Sequence, residues 1–313
     1  GPMVGVEKAI IQKSCEMIGM KNGVGTFASG GSITNLMSMI MARDWADKEA
    51  RFTGVRKNLI TYTSIDSHYS ISKNAAFTGV GRNNVRFIEV DKFGKMIPEK
   101  LEESILKDSK EGNEPFYINA TAGTTVLGAF DPIIEISKVA RKHKLWLHVD
   151  GAYCGASFLS EKHKSKLEGL DLVDSFSYNG HKMLNTPTNC SIILTKHKEA
   201  LYNSFSNEAS YLFQKDTDEF NFGKTSMQCG RRNDALKLWT LWKAVGTNGL
   251  GGMIDHLYET ADTAFNYVSN HPDYTVHSFP ESLSVCFNYK NIDAKTLSHK
   301  LHDKGVSMVS YAE

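Results

Sequence analysis

The 313-residue chain lacks most of the features that would place it in several common classes. Its five cysteines (15, 154, 190, 229 and 286) are odd in number and scattered, with no CxxC pair and no zinc-like Cys/His spacing. Neither a disulfide framework nor a metal site is predicted from them; they read as reduced core thiols of a cytoplasmic protein. Lys+Arg of 36 against Asp+Glu of 35 leaves a formal net charge of +1, so there is no surplus of charge to recruit nucleic acid or an anionic membrane. No run approaches the roughly 18 apolar residues of a membrane span, and no secretory leader pattern is present. Gly1-Pro2 ahead of Met3 reads as a protease-cleavage scar. No GxGxxG fingerprint occurs. Asn119-Ala-Thr and Asn189-Cys-Ser match the glycosylation pattern, but both fall in segments expected to be core strands.

What is present is enough to build a large core. Hydrophobic residues make up 41% and charged residues 23% of the chain, which suits two ordinary domains or one large α/β unit with an appendage. Strand-like runs at Leu59 to Ser64, Asn84 to Val90, Phe116 to Ala120, Leu145 to Asp150 and Asn189 to Thr195 alternate with helical patterns, among them the amphipathic stretch Pro132 to Lys144. Such alternation predicts a mostly parallel sheet with right-handed crossovers. Glu7 to Met20, Arg232 to Val245, Met253 to Val268 and Ala294 to Lys304 have helical spacing, and Tyr274 to His277 and Ser284 to Tyr289 read as further strands. The expected division is a helical lead-in over 1–24, a large domain over 25–245 and a small α+β domain over 246–313.

The stretch from His148 to Leu184 carries the chemistry. Leu145-Trp-Leu-His-Val-Asp150 is an apolar run ending in a carboxylate, and Val173, Phe176 and Tyr178 lead through Asn179-Gly180 into His181-Lys182. In open α/β sheets ligands bind at the carboxyl ends of the strands, so Asp150 and Lys182 are expected to face one crevice. Alone, each residue is ambiguous: a lysine is ordinarily a solvated surface group, and an aspartate after a strand is often a helix cap.

Together, HVDGAY (148–153) and NGHKM (179–183) resemble the fold-type-I pyridoxal phosphate (PLP) enzymes, and more narrowly the group II amino-acid decarboxylases. The resemblance runs from about Gly25 to the C-terminus. It implies the PLP-dependent transferase fold, a mostly parallel sheet of the seven-stranded type with helices on both faces and a small C-terminal α+β domain. It implies that Lys182 bonds covalently to the cofactor aldehyde and that Asp150 pairs with the ring nitrogen. Lysine is the side chain whose amine condenses with an aldehyde, and a carboxylate beside the nitrogen keeps it protonated, which makes the ring an electron sink. Ala152 is small enough to let a ring lie flat, and His181 stands beside the lysine.

Other segments gain meaning from the same resemblance. Ser29-Gly-Gly-Ser-Ile-Thr-Asn35 opens a helix and alone is more often a plain loop and cap; the family's SGGSxxN segment implies that Gly31 and Ser32 hold the cofactor phosphate at the positive end of the helix dipole. His68, in DSHYS, would otherwise be a capping residue; the family implies that it stacks on the cofactor ring. Thr125, in TAGTT, becomes a candidate for contacting the ring hydroxyl or the substrate's carboxylate side.

The segment from Ala209 to Gly223 has no clear period and mixes aromatic with polar residues, as a lid does. Its YLFQ (211–214) and the following QCGRR (228–232) resemble the glutamate, aspartate and cysteine sulfinate decarboxylases. In that group the tyrosine on a mobile loop protonates the substrate carbon after carbon dioxide leaves, a role that falls on Tyr211; its alternative is packing in a surface loop. The substrate expected is a small acidic amino acid, and the partner a second copy in a homodimer with a shared active site. Decarboxylation of an aromatic amino acid, and an impaired homologue kept as a dimerising module, are the other readings. Family members ordinarily have more chain ahead of the Met3 position and beyond the Glu313 position, regions in which the group that reads the substrate's distal acid largely lies.

Overall fold

The computed structural model describes residues 2–206 and 221–311. A seven-stranded sheet forms the centre: β1 (Val24–Ala28), β2 (Leu59–Ser64), β3 (Val85–Ile88), β4 (Glu114–Thr121), β5 (Trp146–Gly151), β6 (Ser175–Asn179) and β7 (Ser191–Thr195), in the order β1-β7-β6-β5-β4-β2-β3. Only β7 runs against its neighbours, antiparallel to both β1 and β6; the other pairings are parallel. Every residue of β2, β5, β6 and β7 is buried. Strands covered on both faces read as continuous apolar runs rather than alternating ones, which is why LITYTS and WLHVDG show no period of two.

Helices cover both faces. One core cluster joins Ile10 and Ile11 of α1 (Pro2–Met17) with residues from distant elements of the chain. The other joins Met37, Met39 and Met41 of α2 (Gly31–Ala46) with Ile71 and Ala75 of α4 (Ser70–Phe77); between them in the chain lies the short α3 (Ala50–Thr53). Leu101 and Ile105 of α5 (Pro98–Lys110) and Ile136 of α6 (Ile133–His143) belong to the first cluster, Leu201 of α7 (Lys198–Phe205) to the second. The bounds of α6 follow from its sequence: Glu135 lies in the first turn and Arg141, Lys142 and His143 in the last, as the helix dipole favours. Lys144 then turns the chain in the left-handed conformation (φ 60°).

Three expectations change. The two helices expected after residue 231 are present as the halves of α8 (Asp234–Asn270), separated where Gly246 leaves helical geometry (φ 72°, ψ 175°), but the start of the second differs. The second half begins well before Met253 because Gly249, Gly251 and Gly252 hide a helix in the sequence. At Gly251 the missing side chain has a purpose, since a Cβ would stand 2.8 Å from the Leu159 carbonyl oxygen. The cysteines are not all core thiols: Cys15, Cys154 and Cys190 are buried, Cys286 is half-buried and Cys229 exposed. Asn119 is buried in β4 as expected, but Asn189 is exposed just ahead of β7.

Beyond α8 lie β8 (Tyr274–Val276), β9 (Phe287–Tyr289) and α9 (Ala294–Asp303), with β8 and β9 paired antiparallel and neither strand fully buried. Residues 282–286 hold the 125–128 turn of the large sheet through Ser282 Oγ to Leu127 O (2.5 Å) and Cys286 Sγ to Val126 O (3.2 Å). At the other end of the fold, Arg231 of QCGRR makes a bidentate pair with Glu7 of α1 (3.0 and 3.1 Å) and donates to the Phe27 carbonyl of β1 (3.0 Å). Removing one partner of so enclosed a pair costs about 3–5 kcal/mol, because the other charge is left without compensation. No helix among the described residues is long and apolar enough to cross a membrane.

Candidate active site

Asp150 and Lys182 come from adjoining strands. Asp150 ends β5, paired in register with Ser177 of β6, and Lys182 follows β6 by three residues. The N-terminus of α2 lies over the same strand ends, close enough that a Cβ on Gly31 would stand 2.9 Å from the Ala152 Cβ and 3.3 Å from the Asn179 amide nitrogen. Glycine is therefore required for the helix to reach the strands.

These elements enclose a cavity of ≈ 210 Å³ lined by Gly31, Ser32, His68, Thr125, Asp150, Ala152, His181 and Lys182, the residues that the motifs nominate. Tyr211 lies outside the described residues. The cavity is also lined by Asn35, Tyr69, Thr121, Gly123, Tyr153 and Asn179, which the sequence reading did not single out. Each sits inside or beside a quoted motif, so the signal was there without a role attached to it. Thr125 is exposed at the rim, whereas Thr121 and Asn179 are buried with side-chain oxygens that have no hydrogen-bond partner among the described residues. Size alone does not pick out the site: a larger cavity of ≈ 460 Å³ between Phe93, Phe130, Pro132 and Phe279 contains none of the motif residues.

Asp150 is 4% exposed and tightly seated. Its Oδ2 accepts from Asn35 Nδ2 (2.6 Å) and its Oδ1 from the Ala152 N–H (2.9 Å). Behind it, His148 Nε2 lies 3.2 Å from Asn35 Oδ1 and its Nδ1 2.8 Å from Ser175 Oγ. Complete burial pushes the His148 pKa down to about 4, against the pull of Asp150. His68 meets Ser70 Oγ through Nδ1 (2.8 Å), and Ser70 in turn receives Asn35 Nδ2 (3.1 Å). The His68 pKa is lowered, first by burial and further by Lys182, with Asp150 opposing.

Lys182 is held differently. Among the described residues its ammonium has no hydrogen bond or ion pair; it lies 5.8 Å from the ring centroid of Tyr153. The Tyr153 hydroxyl reaches Ser284 Oγ (3.3 Å), so the wall beside the lysine is braced from the C-terminal part of the chain. His181 receives the Cys190 N–H on Nδ1 (2.9 Å), which turns that side of its ring away from solvent competition.

This donor set fits PLP. An amine with freedom to react, a carboxylate seated at a strand end, a helix N-terminus opened by glycine, and the buried Thr121 hydroxyl, which has no hydrogen-bond partner among the described residues, answer its aldehyde, ring nitrogen, phosphate and polar edge. The fold and this site define a PLP-dependent enzyme fold of type I, and the match over residues 3–290 to the pyridoxal-dependent decarboxylase conserved domain is decisive: the chain belongs to that family.

Its relatives sharpen the placement. The chain is 42% identical over 291 residues to the mouse acidic amino acid decarboxylase GADL1, covering 91% of this chain and 53% of the relative. To human GADL1 it is 38% identical over 329 residues, covering 98% of this chain and 63% of the relative. The crystal structure of mouse CSAD superposes with a TM-score of 0.93 at 35% identity, covering 99% of this chain and 70% of that one. The chain thus spans little more than half to under two thirds of the length of these curated relatives.

Proposed function

We propose that this chain carries the cofactor-binding part of a PLP-dependent decarboxylase that converts a small acidic L-amino acid, of the glutamate, aspartate or cysteine sulfinate class, to its amine and carbon dioxide. The observation that carries the reading is the placement of Asp150 and Lys182 on adjoining strand ends, facing one cavity under the N-terminus of α2. The class of substrate rests on YLFQ and QCGRR and on relatives named acidic amino acid decarboxylase.

When bound, PLP supplies an electron sink for the pair of electrons left on the substrate's α-carbon as carbon dioxide departs. The chain's own residues supply the rest. Lys182 is the amine that captures the cofactor aldehyde. Asp150, aligned by Asn35 and Ala152, would hold the ring nitrogen. Gly31, Ser32, Asn179 and His181 are placed to receive the phosphate. His68 and Ala152 line the same cavity, and we assign them to the faces of the ring. Thr121 and Thr125 are the hydroxyls available for its edge. Tyr211, outside the described residues, is assigned as the acid that returns a proton to the α-carbon. We further propose that the working form is a homodimer whose partner completes the site.

Borohydride reduction in the presence of PLP, followed by peptide mapping, is expected to place the pyridoxyl mass on the peptide containing Lys182. Carbon dioxide release is then measured over glutamate, aspartate, cysteine sulfinate, tryptophan and tyrosine. Release confined to the aromatic pair would reject the substrate class, and a label on another lysine would reject the assignment of the amine.

A further inference from the structure

One side-chain amide touches both halves of the polar network behind the cavity. Asn35, 1% exposed on the first turns of α2, reaches Asp150, His148 and Ser70 at once. The direction of each hydrogen bond follows from groups that have no choice. A carboxylate oxygen accepts, so Asn35 turns its NH2 toward Asp150 Oδ2 and its carbonyl Oδ1 toward His148. That carbonyl can only accept, so His148 carries its hydrogen on Nε2; Ser177 Oγ, at 3.4 Å, is a second and longer neighbour of the same nitrogen. His148 Nδ1 is then bare and takes the Ser175 hydroxyl hydrogen (2.8 Å), while Ser175 Oγ accepts the Trp146 indole N–H (2.9 Å), a group that only donates.

The same reasoning runs the other way from Asn35. Its second amide hydrogen points at Ser70 Oγ, which leaves the Ser70 hydroxyl hydrogen for His68 Nδ1 (2.8 Å), and the Ser70 backbone N–H lies 3.2 Å from that same nitrogen. His68 Nδ1 is thereby an acceptor twice over. A neutral ring so held keeps its hydrogen on Nε2.

We propose that Asn35 is a positioning residue of the site: it orients the Asp150 carboxylate, fixes the His148 tautomer behind it and, through Ser70, holds His68 as an Nε2–H donor. Its relevance to catalysis rests on the PLP reading above, since Asp150 and His68 are the residues assigned to the ring. His68 in this state offers a bound molecule a hydrogen, not a lone pair, which assigns it to stacking and donation and leaves proton abstraction to other groups.

The test begins with the full-length, cofactor-free chain labelled with 15N-histidine, in which long-range proton–nitrogen correlation spectra separate Nδ1–H, Nε2–H and cationic rings. His148→Gln and His68→Gln assign the signals. Both histidines are expected as Nε2–H at pH 7.5; either one found as Nδ1–H, or His148 found cationic, overturns the proposal. In Asn35→Leu, His148 is expected to lose its single tautomer, and the dissociation constant for PLP to rise at least about tenfold, equivalent to about 1.4 kcal/mol. An unchanged His148 signal, or an unchanged dissociation constant, overturns the positioning role. Should Asn35→Leu fail to fold, Asn35→Asp retains the shape and sets a second carboxylate between Asp150 and His148, and His148 is then expected to become cationic at pH 7.5; a neutral His148 in that variant rejects the contact. The histidine spectra need no cofactor, so they answer for Asn35 even if Lys182 never takes the label.

Discussion

The two walls of the cavity are built on opposite principles. Asp150 is buried, accepts an N–H on each oxygen and leans on a network that reaches Trp146. Lys182, just past the end of the next strand, has among the described residues no hydrogen bond or ion pair and lies over the ring of Tyr153. An anion that must stay beside a fixed ring nitrogen gains from being held still, because preorganised groups need no reorganisation during the reaction. An amine that must reach an aldehyde, release it and take it back gains from having no partner to leave. On the proposed assignment, one site sets a held group and a free one at the ends of adjoining strands.

The largest effects are expected where this contrast is removed. Lys182→Arg keeps the charge and removes the reactive amine; no pyridoxyl label is expected at position 182, with turnover lower by more than about a thousandfold. Asp150→Asn is expected to retain the label while losing about a hundred- to a thousandfold in turnover, the order seen when a single preorganised electrostatic contact is removed. Equal labelling in both variants, read by mass spectrometry, would erase the distinction between the walls.

A smaller effect is expected from pH, and only on the held wall. His148 has its folded pKa near 4, below the ordinary value of 6.5. As pH falls the unfolded chain binds this proton first, so stability drains away between about pH 6.5 and 4, on the order of 3 kcal/mol from this residue. Urea midpoints measured across that window are expected to fall less steeply in His148→Gln than in the parent. The smallest effect belongs to the free wall: Tyr153→Leu removes a contact of the cation–π kind, about 0.5–1 kcal/mol at a partly exposed position. A two- to fivefold slower capture of PLP, followed by absorbance, is the expected outcome.

How far these walls were legible in the sequence depends on how far apart their parts lie. The parallel sheet, the strand-end positions of Asp150 and Lys182, and the meeting of Gly31, Ser32 and His68 with them follow from local patterns joined by a motif resemblance. The network was not legible in that way. Asn35 reaches Asp150, 115 positions later, and His148 reaches Ser175, 27 later; no periodicity within a segment encodes such pairs. Thr121 and Asn179 escaped notice because an unpaired buried oxygen is a property of packing, visible only when the neighbours are placed. The late start expected for the second half of α8 has a different origin, since a glycine that permits close approach to Leu159 looks, in one dimension, like a break.

The strand order also sets a timetable. Chains are made from the N-terminus, and β1 leaves the ribosome before the other six strands of the sheet, yet its seat is beside β7, the last of the seven. Val24 cannot meet Thr195, nor Glu7 find Arg231, until everything between them has been synthesised. The parallel strands β2 to β6 can assemble in the meantime, but the flank of β7 stays open to any other extended chain until β1 returns to cover it. The β1 segment thus acts as the closing stitch of the sheet, and the interval before it is drawn tight is when the flank of β7 is most exposed to pairing with the wrong strand.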